Sequence, residues 1–378
     1  MEYKAIRVII SGGGTGGHIF PAISIADSLM KVNPRNRILF VGAEGRMEMD
    51  KVPAAGYEIV GLNISGLSRG LSPRNVINAV KLPFKVIKSV QDAGTVIRNF
   101  RPDIVIGVGG YASAPLLWKA QCMGIPTLIQ EQNGFAGLTN KILSKRADRI
   151  CVAYEGMEKF FPADKIVITG NPIRPEIAAI TPEMKAEGTR FYCLNPEKKH
   201  ILVIGGSLGS GTLNNAMKAW IEAGCPGGDD VEVLWQCGKY YKASIDLFMA
   251  GNLECRNVKH FDFISRMDLA YAAADVVISR SGASSISELC AAHKAAIFVP
   301  SPNVAEDHQT HNAMALVNKN AGMMVRDCDA VTELMPAAMS LVHDSERIAE
   351  LEANAGAMAR TAAAEEITDE AYKLVKNV

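Results

Sequence analysis

The sequence has no excess charge of either sign: Lys plus Arg number 40 and Asp plus Glu number 40 over 378 residues. A general nucleic-acid binder carries a marked basic excess, so no nucleic-acid partner is expected. Aromatic residues are scarce, at 6%. Long hydrophobic runs are missing as well. The longest uncharged apolar stretch, Ile104 to Trp118, is broken by glycines and a proline. It is shorter than the roughly 18 residues that a membrane span needs. Met1 to Ile10 hold no apolar stretch of signal-peptide length, so no secretory leader is expected. The eight cysteines are scattered, and no pair has CxxC spacing. Reduced thiols in a cytosolic protein are the economical expectation.

What is present is an α/β pattern. Apolar residues make up 48% and charged residues 21%, which excludes a disordered chain. Short β-branched runs recur between longer helical stretches. In the first half they are 6–10, 38–41, 58–62, 104–108, 127–130, 150–152 and 166–169. In the second half they are 201–204, 231–235, 258–261, 276–279, 296–299 and 323–325. Their continuous apolar character predicts buried parallel strands joined by βαβ crossovers. The opening KAIRVIISGGGTGGHIFPA is echoed by KKHILVIGGSLGSGTLNN near Lys198. Both read as strand, glycine-rich turn and helix, so two doubly wound, Rossmann-like domains are expected. The expected bounds are 1–170 and 171–350, joined at Gly170-Asn171-Pro172-Ile173-Arg174-Pro175. A helical tail, 351–378, is expected to return to the first domain. Two such domains facing across a cleft would suit a two-substrate enzyme.

Several turns carry polar or glycine-rich clusters. Ser11 to His18 directly follows the first strand. A GxGxxG spacing can be drawn through it, but no acid sits neatly at the end of the second strand, where Gly42-Ala43 precedes Glu44. A P-loop fails because no Gly-Lys-Ser/Thr follows. A phosphate or sugar turn with His18 at its rim competes with a structural histidine on even terms. Gly205 to Gly211 is a second such turn, able to hold a diphosphate or merely to pack a helix on a sheet. Ser279 to Glu288 opens a helix with small residues. Glu288 there could accept a ribose diol, or could close a capping box with Ser285. Glu131-Gln132-Asn133-Gly134 is a polar cluster at a strand end. His308 and His311 share a helix face, but two histidines without a third ligand do not make a zinc site, and no metal is expected. Asp327-Cys328-Asp329 reads as a solvated turn. After Ser72, Pro73 predicts a helix start. Arg74, Lys81, Lys85 and Lys88 lie beside an apolar stripe that includes Ile77 and Phe84, which is either a solvated face or a patch for an anionic membrane.

Taken in order, GGGTGGHIFPAISIADSL, GVGGYASAP, EQNGFAGLTNKILSKRAD, GNPIR, GGSLGSGTLN, FISRMDLAYAAADVVISRSGASSISEL and DHQTHNA closely resemble the MurG family of bacterial peptidoglycan N-acetylglucosaminyltransferases, in glycosyltransferase family 28. The resemblance runs from Gly12 to about Val325. It implies the GT-B architecture and inverting transfer from UDP-N-acetylglucosamine to lipid I, giving lipid II. It implies no cofactor. It also implies a peripheral position at the cytoplasmic face of the inner membrane, contact with an anionic membrane surface, and cell-wall synthesis and division proteins as partners. Carried over by position, Thr15, Gly16, Gly17, Asn133, Arg174 and Ser207 are expected at the donor. Ile264 is expected to hold uracil through its backbone. Ala283, Ser284, Ser285, Ile286, Ser287 and Glu288 should line the nucleotide and diphosphate, with Glu288 on the ribose, and Gln309 should meet the sugar. His18, the candidate general base, and Tyr111 match acceptor-side residues. The chain departs from the common family pattern at His293-Lys294-Ala295-Ala296-Ile297, where many members carry Gly-Leu-Pro. It departs again at Ala283-Ser284-Ser285, where Ala-Leu-Thr is frequent. With the recognition in place, the helix after Ser72 becomes the favoured membrane patch, with Trp118 as a neighbour. A UDP-sugar 2-epimerase and a non-catalytic UDP-sugar-binding protein are the alternative readings.

Overall fold

The structure is a computed structural model that describes residues 3–14, 16–64, 73–206, 208–304 and 307–376, without the side chains of 73–85 and 376. Thr15 and Ser207 therefore lie outside the described residues, as do the side chains of Arg74, Ile77, Lys81, Phe84 and Lys85.

The chain divides into two compact units, Met1–Ile173 with Thr361–Val378, and Arg174–Arg360. The first unit holds β1 (Arg7–Ser11), α1 (Gly16–Val32), β2 (Arg37–Ala43), α2 (Glu48–Ala54), β3 (Glu58–Leu62), α3 (Pro73–Phe100), β4 (Ile104–Gly107), α4 (Ser113–Cys122), β5 (Thr127–Glu131), α5 (Leu138–Ser144), β6 (Arg149–Val152) and β7 (Ile166–Ile168). The second holds α6 (Pro175–Ala178), α7 (Met184–Phe191), β8 (Lys199–Ile204), α8 (Gly211–Glu222), β9 (Val231–Gln236), α9 (Lys242–Ala250), β10 (Val258–Phe261), α10 (Met267–Ala273), β11 (Val276–Ser279), α11 (Ala283–Ala291), β12 (Ala295–Phe298), α12 (His308–Val317), β13 (Met323–Met324), α13 (Ala330–Val342) and α14 (Ser345–Ala357). The last helix, α15 (Ala363–Lys376), belongs to the first unit.

Both sheets are wholly parallel. Among the described residues, the first has seven strands in the order β3-β2-β1-β4-β5-β6-β7, and the second has six in the order β10-β9-β8-β11-β12-β13. Each is covered on both faces, which is why its strands read as unbroken apolar runs. Ile9, Val105 and Ile129 point to one side of the first sheet, and Val8, Ile10 and Ile106 to the other. In the second sheet, Val203, Trp235 and Ile278 face one layer while Leu202, Leu234 and Val277 face the opposite one.

The strand order has a direct consequence for function. In each sheet the winding reverses between two neighbouring strands, β1 and β4 in the first and β8 and β11 in the second. Open α/β sheets bind ligands outside the carboxyl ends of strands at such reversals. The glycine-rich turns Gly12–Gly14 and Gly205–Gly211 each follow one strand of such a pair. The turns beginning Val108 and Arg280 follow the other.

The tail helix is fixed by packing and by polar contacts. Ile367, Ala371 and Tyr372 join the core cluster that holds Ile25 and Leu29. Thr368 Oγ1 donates to Ser28 Oγ at 2.9 Å, and Asn36 Nδ2 donates to Tyr372 Oη at 2.9 Å. Arg149 meets Glu370 at 2.9 Å. All eight cysteines are free thiols.

Candidate active site

In the first unit, the turns after β1 and β4 pack backbone to backbone. A methyl group at Gly110 would stand 2.6 Å from the carbonyl oxygen of Gly13. Gly109 and Gly110 have φ of +90° and +79°, a region that strains other residues. His18 lies in the first turn of α1 and is half-buried. Its ring packs on Gly109, where a methyl group would stand 3.1 Å from His18 Nε2 and 3.5 Å from Gln132 Oε1. The Tyr111 ring approaches Gly14 from the same pair of turns, at 3.5 Å from an added Cβ. The fold thus gathers His18, Tyr111 and Gln132 around the reversal point of the first sheet.

The polar cluster after β5 is largely satisfied from within. Glu131 is buried and accepts from the backbone N–H of Asn133 at 3.1 Å and of Gly137 at 3.0 Å, and from Asn140 Nδ2 at 2.9 Å. Asn133 Nδ2 also donates to it, at 3.2 Å. Gln132 Nε2 donates to the Val108 carbonyl at 2.7 Å, and Asn171 Nδ2 donates to the Gln132 carbonyl at 3.0 Å. Glu131 and Gln132 therefore shape this loop, and Asn133 stands on the frame they make.

In the second unit, the turn after β8 is drawn tight. A methyl group at Gly209 would come within 2.1 Å of the Cys237 carbonyl oxygen. Ser210 caps α8 by accepting from Leu213 N at 3.4 Å. Gln236 Nε2 supports the turn from below, donating to the Gly206 carbonyl at 3.0 Å. Across the reversal point, β11 runs into α11 through Gly282, whose extended backbone starts the helix without a side-chain cap. Glu288 is the sixth residue of that helix, so the capping-box reading with Ser285 does not hold. A reciprocal cap requires the acid in the third helical position.

Glu288 is instead held from the side. Arg174 donates through Nε and Nη2 to its two carboxylate oxygens, each at 2.7 Å. The paired, charge-assisted geometry fixes the orientation of both groups. The buried Tyr271 also hydrogen-bonds Glu288, and burial together with that carboxylate pushes its hydroxyl pKa well up. Glu288 raises the Arg174 pKa against the opposing effect of burial. At the mouth of α11 the position is reversed. The hydroxyls of Ser281 and Ser284 are buried and have no hydrogen-bond partner among the described residues. The first N–H groups of the helix also lack intrahelical acceptors. This is a short row of donors with a helix dipole behind it, suited to an anion.

Ile264 is buried in the core, so only its backbone is left to meet a ligand. Gln309 Oε1 accepts from Ser301 N at 2.8 Å, which leaves its amide NH2 as the group to offer. Asp327 departs from the expected solvated turn. It pairs with Arg280 and accepts from Thr212 Oγ1 at 3.1 Å. Arg280 follows β11 and Asp327 follows β13, and only the sheet brings them together. No group of three or more metal-ligating side chains occurs among the described residues. Two further side chains with structural roles at the turns, Glu48 and Gln236, have no local signature beyond being polar residues beside glycine turns.

Residues 8–152 match the glycosyltransferase family 28 N-terminal domain, and residues 200–367 match its C-terminal domain. A Parabacteroides distasonis protein named UDP-N-acetylglucosamine–N-acetylmuramyl-(pentapeptide) pyrophosphoryl-undecaprenol N-acetylglucosamine transferase is 54% identical over 98% of this chain and 99% of its own length. A Bacteroides thetaiotaomicron protein of the same name is 51% identical over 99% of each. The crystal structure of Acinetobacter baumannii MurG superposes with a TM-score of 0.77 at 28% identity, covering 97% of this chain and 99% of that one. A UDP-N-acetylglucosamine 2-epimerase shares the fold, at 14% identity and a TM-score of 0.65 over 97% of this chain and 95% of its own. The chain belongs to glycosyltransferase family 28, among the UDP-N-acetylglucosamine–N-acetylmuramyl-(pentapeptide) pyrophosphoryl-undecaprenol N-acetylglucosamine transferases.

Proposed function

We infer that this chain transfers N-acetylglucosamine from UDP-N-acetylglucosamine to the 4-hydroxyl of lipid I, the lipid-diphosphate-linked N-acetylmuramoyl pentapeptide, and so makes lipid II for peptidoglycan. The names of relatives at 51–54% identity carry both substrates. The geometric observation that carries the donor side is the pair of unpartnered hydroxyls, Ser281 and Ser284, at the start of α11. A donor diphosphate supplies the acceptors they lack. Glu288, oriented by Arg174 and Tyr271, then faces the ribose diol one turn further along the helix. Ile264 offers backbone groups to the uracil, and Gln309 offers its amide to the sugar.

The chemistry is a single displacement. The acceptor 4-hydroxyl attacks the anomeric carbon opposite UDP, the new C–O bond forms as the bond to the diphosphate breaks, and configuration inverts. His18 takes the hydroxyl proton. Negative charge growing on the leaving diphosphate is met by helix N-termini and N–H groups, which are most effective where water is excluded. The test is UDP release from UDP-N-acetylglucosamine with and without a soluble lipid I analogue. Release should depend on the acceptor, yield a disaccharide by mass spectrometry and be unchanged by EDTA. Conversion of the donor to its 2-epimer without acceptor would replace this reading with the epimerase one.

A lipid-linked acceptor also calls for a membrane-facing surface. No helix among the described residues is long and apolar enough to cross a membrane. On the first unit, Val86, Ile87, Trp118, Leu138 and Ile142 expose large apolar side chains. They lie on α3, α4 and α5, which pack in sequence. Lys88 is exposed beside them, and Arg74, Ile77, Lys81, Phe84 and Lys85 continue the same helix. This combination suits an anionic bilayer surface at the cytoplasmic face. A Lys81/Lys85/Lys88→Glu triple variant should lose binding to anionic vesicles at low salt while keeping UDP affinity. Retained vesicle binding would return α3 to the status of a solvated face.

A further inference from the structure

Cys225 and Cys255 bring their sulfurs to 3.2 Å from each other across 30 residues of sequence. Both are free thiols and half-buried. Cys225 lies in the turn between α8 and β9, and Cys255 lies between α9 and β10. β9 and β10 are paired and parallel, so both crossovers return to the sheet at the same end. That end carries the amino termini of the strands, opposite the carboxyl ends from which the glycine turn after β8 and the start of α11 emerge. The two turns are tied together without the sulfurs. Asn257 Nδ2 donates to the Gly228 carbonyl at 3.1 Å and to the Val231 carbonyl at 3.3 Å, and Asn257 Oδ1 accepts from the Cys255 thiol at 3.3 Å. Gly228 N–H in turn donates to the Cys225 carbonyl at 3.0 Å. Both cysteines pack on the core cluster that holds Trp220, Val231 and Val258. The surrounding structure therefore holds one thiol against the other, and bridging them asks for a side-chain adjustment rather than a backbone rearrangement. Pro226, Gly227, Glu254 and Arg256 beside them are exposed, so a small oxidant reaches the pair from solvent.

The displacement described above uses neither thiol. We propose that Cys225 and Cys255 form a reversible dithiol–disulfide site, which staples the amino-end turns of the second sheet in the presence of hydrogen peroxide without reaching the ligand end. One thiolate sulfur attacks a peroxide oxygen. The S–O bond forms, the O–O bond breaks, and the departing hydroxide takes a proton to become water. The other thiol gives up its proton and attacks that sulfur. The S–S bond forms as the S–O bond breaks, and a second water leaves. Two thiols thus lose two electrons, and one peroxide is reduced to two waters. A dithiol reductant reverses the bridge by exchange. Burial, with the adjoining Cys255, pushes the Cys225 thiol up to about 12, which keeps its thiolate scarce at neutral pH. Closing is therefore slow and answers sustained oxidant. Once closed, the bridge restricts the unfolded chain between the two cysteines and so favours the folded unit.

The test treats the full chain with hydrogen peroxide, blocks the remaining thiols and maps its peptides by mass spectrometry without reduction. A peptide cross-linked through Cys225 and Cys255 is expected, and dithiothreitol should remove it. The oxidised chain should melt about 4–10 °C above the reduced one, as expected for closing a 30-residue span in a unit of this size. Cys225→Ser and Cys255→Ser should each abolish both the peptide and the shift. Cys122→Ser, at an exposed thiol of the first unit, should leave both in place. UDP affinity by calorimetry should stay within about twofold on oxidation, because the bridge lies at the opposite end of the strands. Absence of the cross-linked peptide, pairing of either cysteine with another thiol, an unchanged melting temperature once the peptide has formed, or a larger change in UDP affinity would overturn the proposal. The wild-type peptide map decides the bridge even where a serine variant does not fold. Failure of the reduced chain to bind UDP would count against the donor reading alone, since the map and the melting shift need no ligand.

Discussion

Replacing His18 with alanine should lower kcat by about 100- to 10,000-fold, the usual contribution of a positioned general base. UDP-N-acetylglucosamine affinity should change far less than kcat, because most groups assigned to the donor, Arg174, Ile264, Glu288 and Gln309 among them, lie on other elements. The expectation follows from placement. His18 is in the first turn of α1, at the reversal point of the first sheet, with its ring against Gly109. Removing an interaction made only in the transition state lowers kcat and kcat/KM together, whereas removing uniform binding raises KM alone. Steady-state kinetics with a soluble acceptor, alongside donor calorimetry, separates the two. An unaltered kcat would take His18 out of the base role. A rise in acceptor KM alone would make it a binding residue.

The second large effect is expected at Glu288. Glu288→Ala should weaken UDP binding by roughly 10- to 100-fold, since hydrogen bonds to a charged group contribute about 1.5–3 kcal/mol and about 1.4 kcal/mol is tenfold. Thermal stability should fall as well. The substitution strands the Arg174 guanidinium, which now makes two 2.7 Å bonds to that carboxylate, and leaves the buried Tyr271 hydroxyl without its partner. Glu288→Gln keeps the shape and much of the packing but not the charge, so it should lose less stability than Glu288→Ala while still losing UDP affinity. The decisive pattern is therefore the ratio between the two readouts. If UDP affinity is intact in both variants and only the melting temperature moves, Glu288 is an anchor for Arg174 and the ribose assignment fails.

The strands and glycine turns were legible in the sequence for a simple reason. A parallel strand buried on both faces must be apolar at every position, so 104–108 and 276–279 stand out without any partner being known. Ala283 marks a helix start because small residues follow a strand end there. The family resemblance is legible for the same kind of reason, since its motifs sit in these turns in a fixed order. Glu288 was conspicuous, but its capping alternative could be dismissed only when the helix start was located at Ala283, five residues earlier. Asp327 reads locally as a solvated turn because its partner, Arg280, is 47 residues away in sequence. Glu131 and Gln132 stand out in the sequence as part of a polar cluster at a strand end, and the structure supplies their partners from within the unit: Asn140, Gly137, Val108 and Asn171.

By itself, then, the sequence determined the class of fold, the positions of both glycine turns and the family, because each is written in local patterns of apolar, small and polar residues. The tertiary structure alone decided strand order, and with it the two reversal points, the places at which open α/β sheets take ligands. It alone joined Arg174 to Glu288, brought the Glu48 carboxylate to the Gly14 N–H and, among the described residues, left the Ser281 and Ser284 hydroxyls without partners. These are contacts between segments far apart in the chain. They depend on which strands lie side by side and on the space that missing side chains at Gly13, Gly42 and Gly109 leave open. No short-range pattern of residues encodes either.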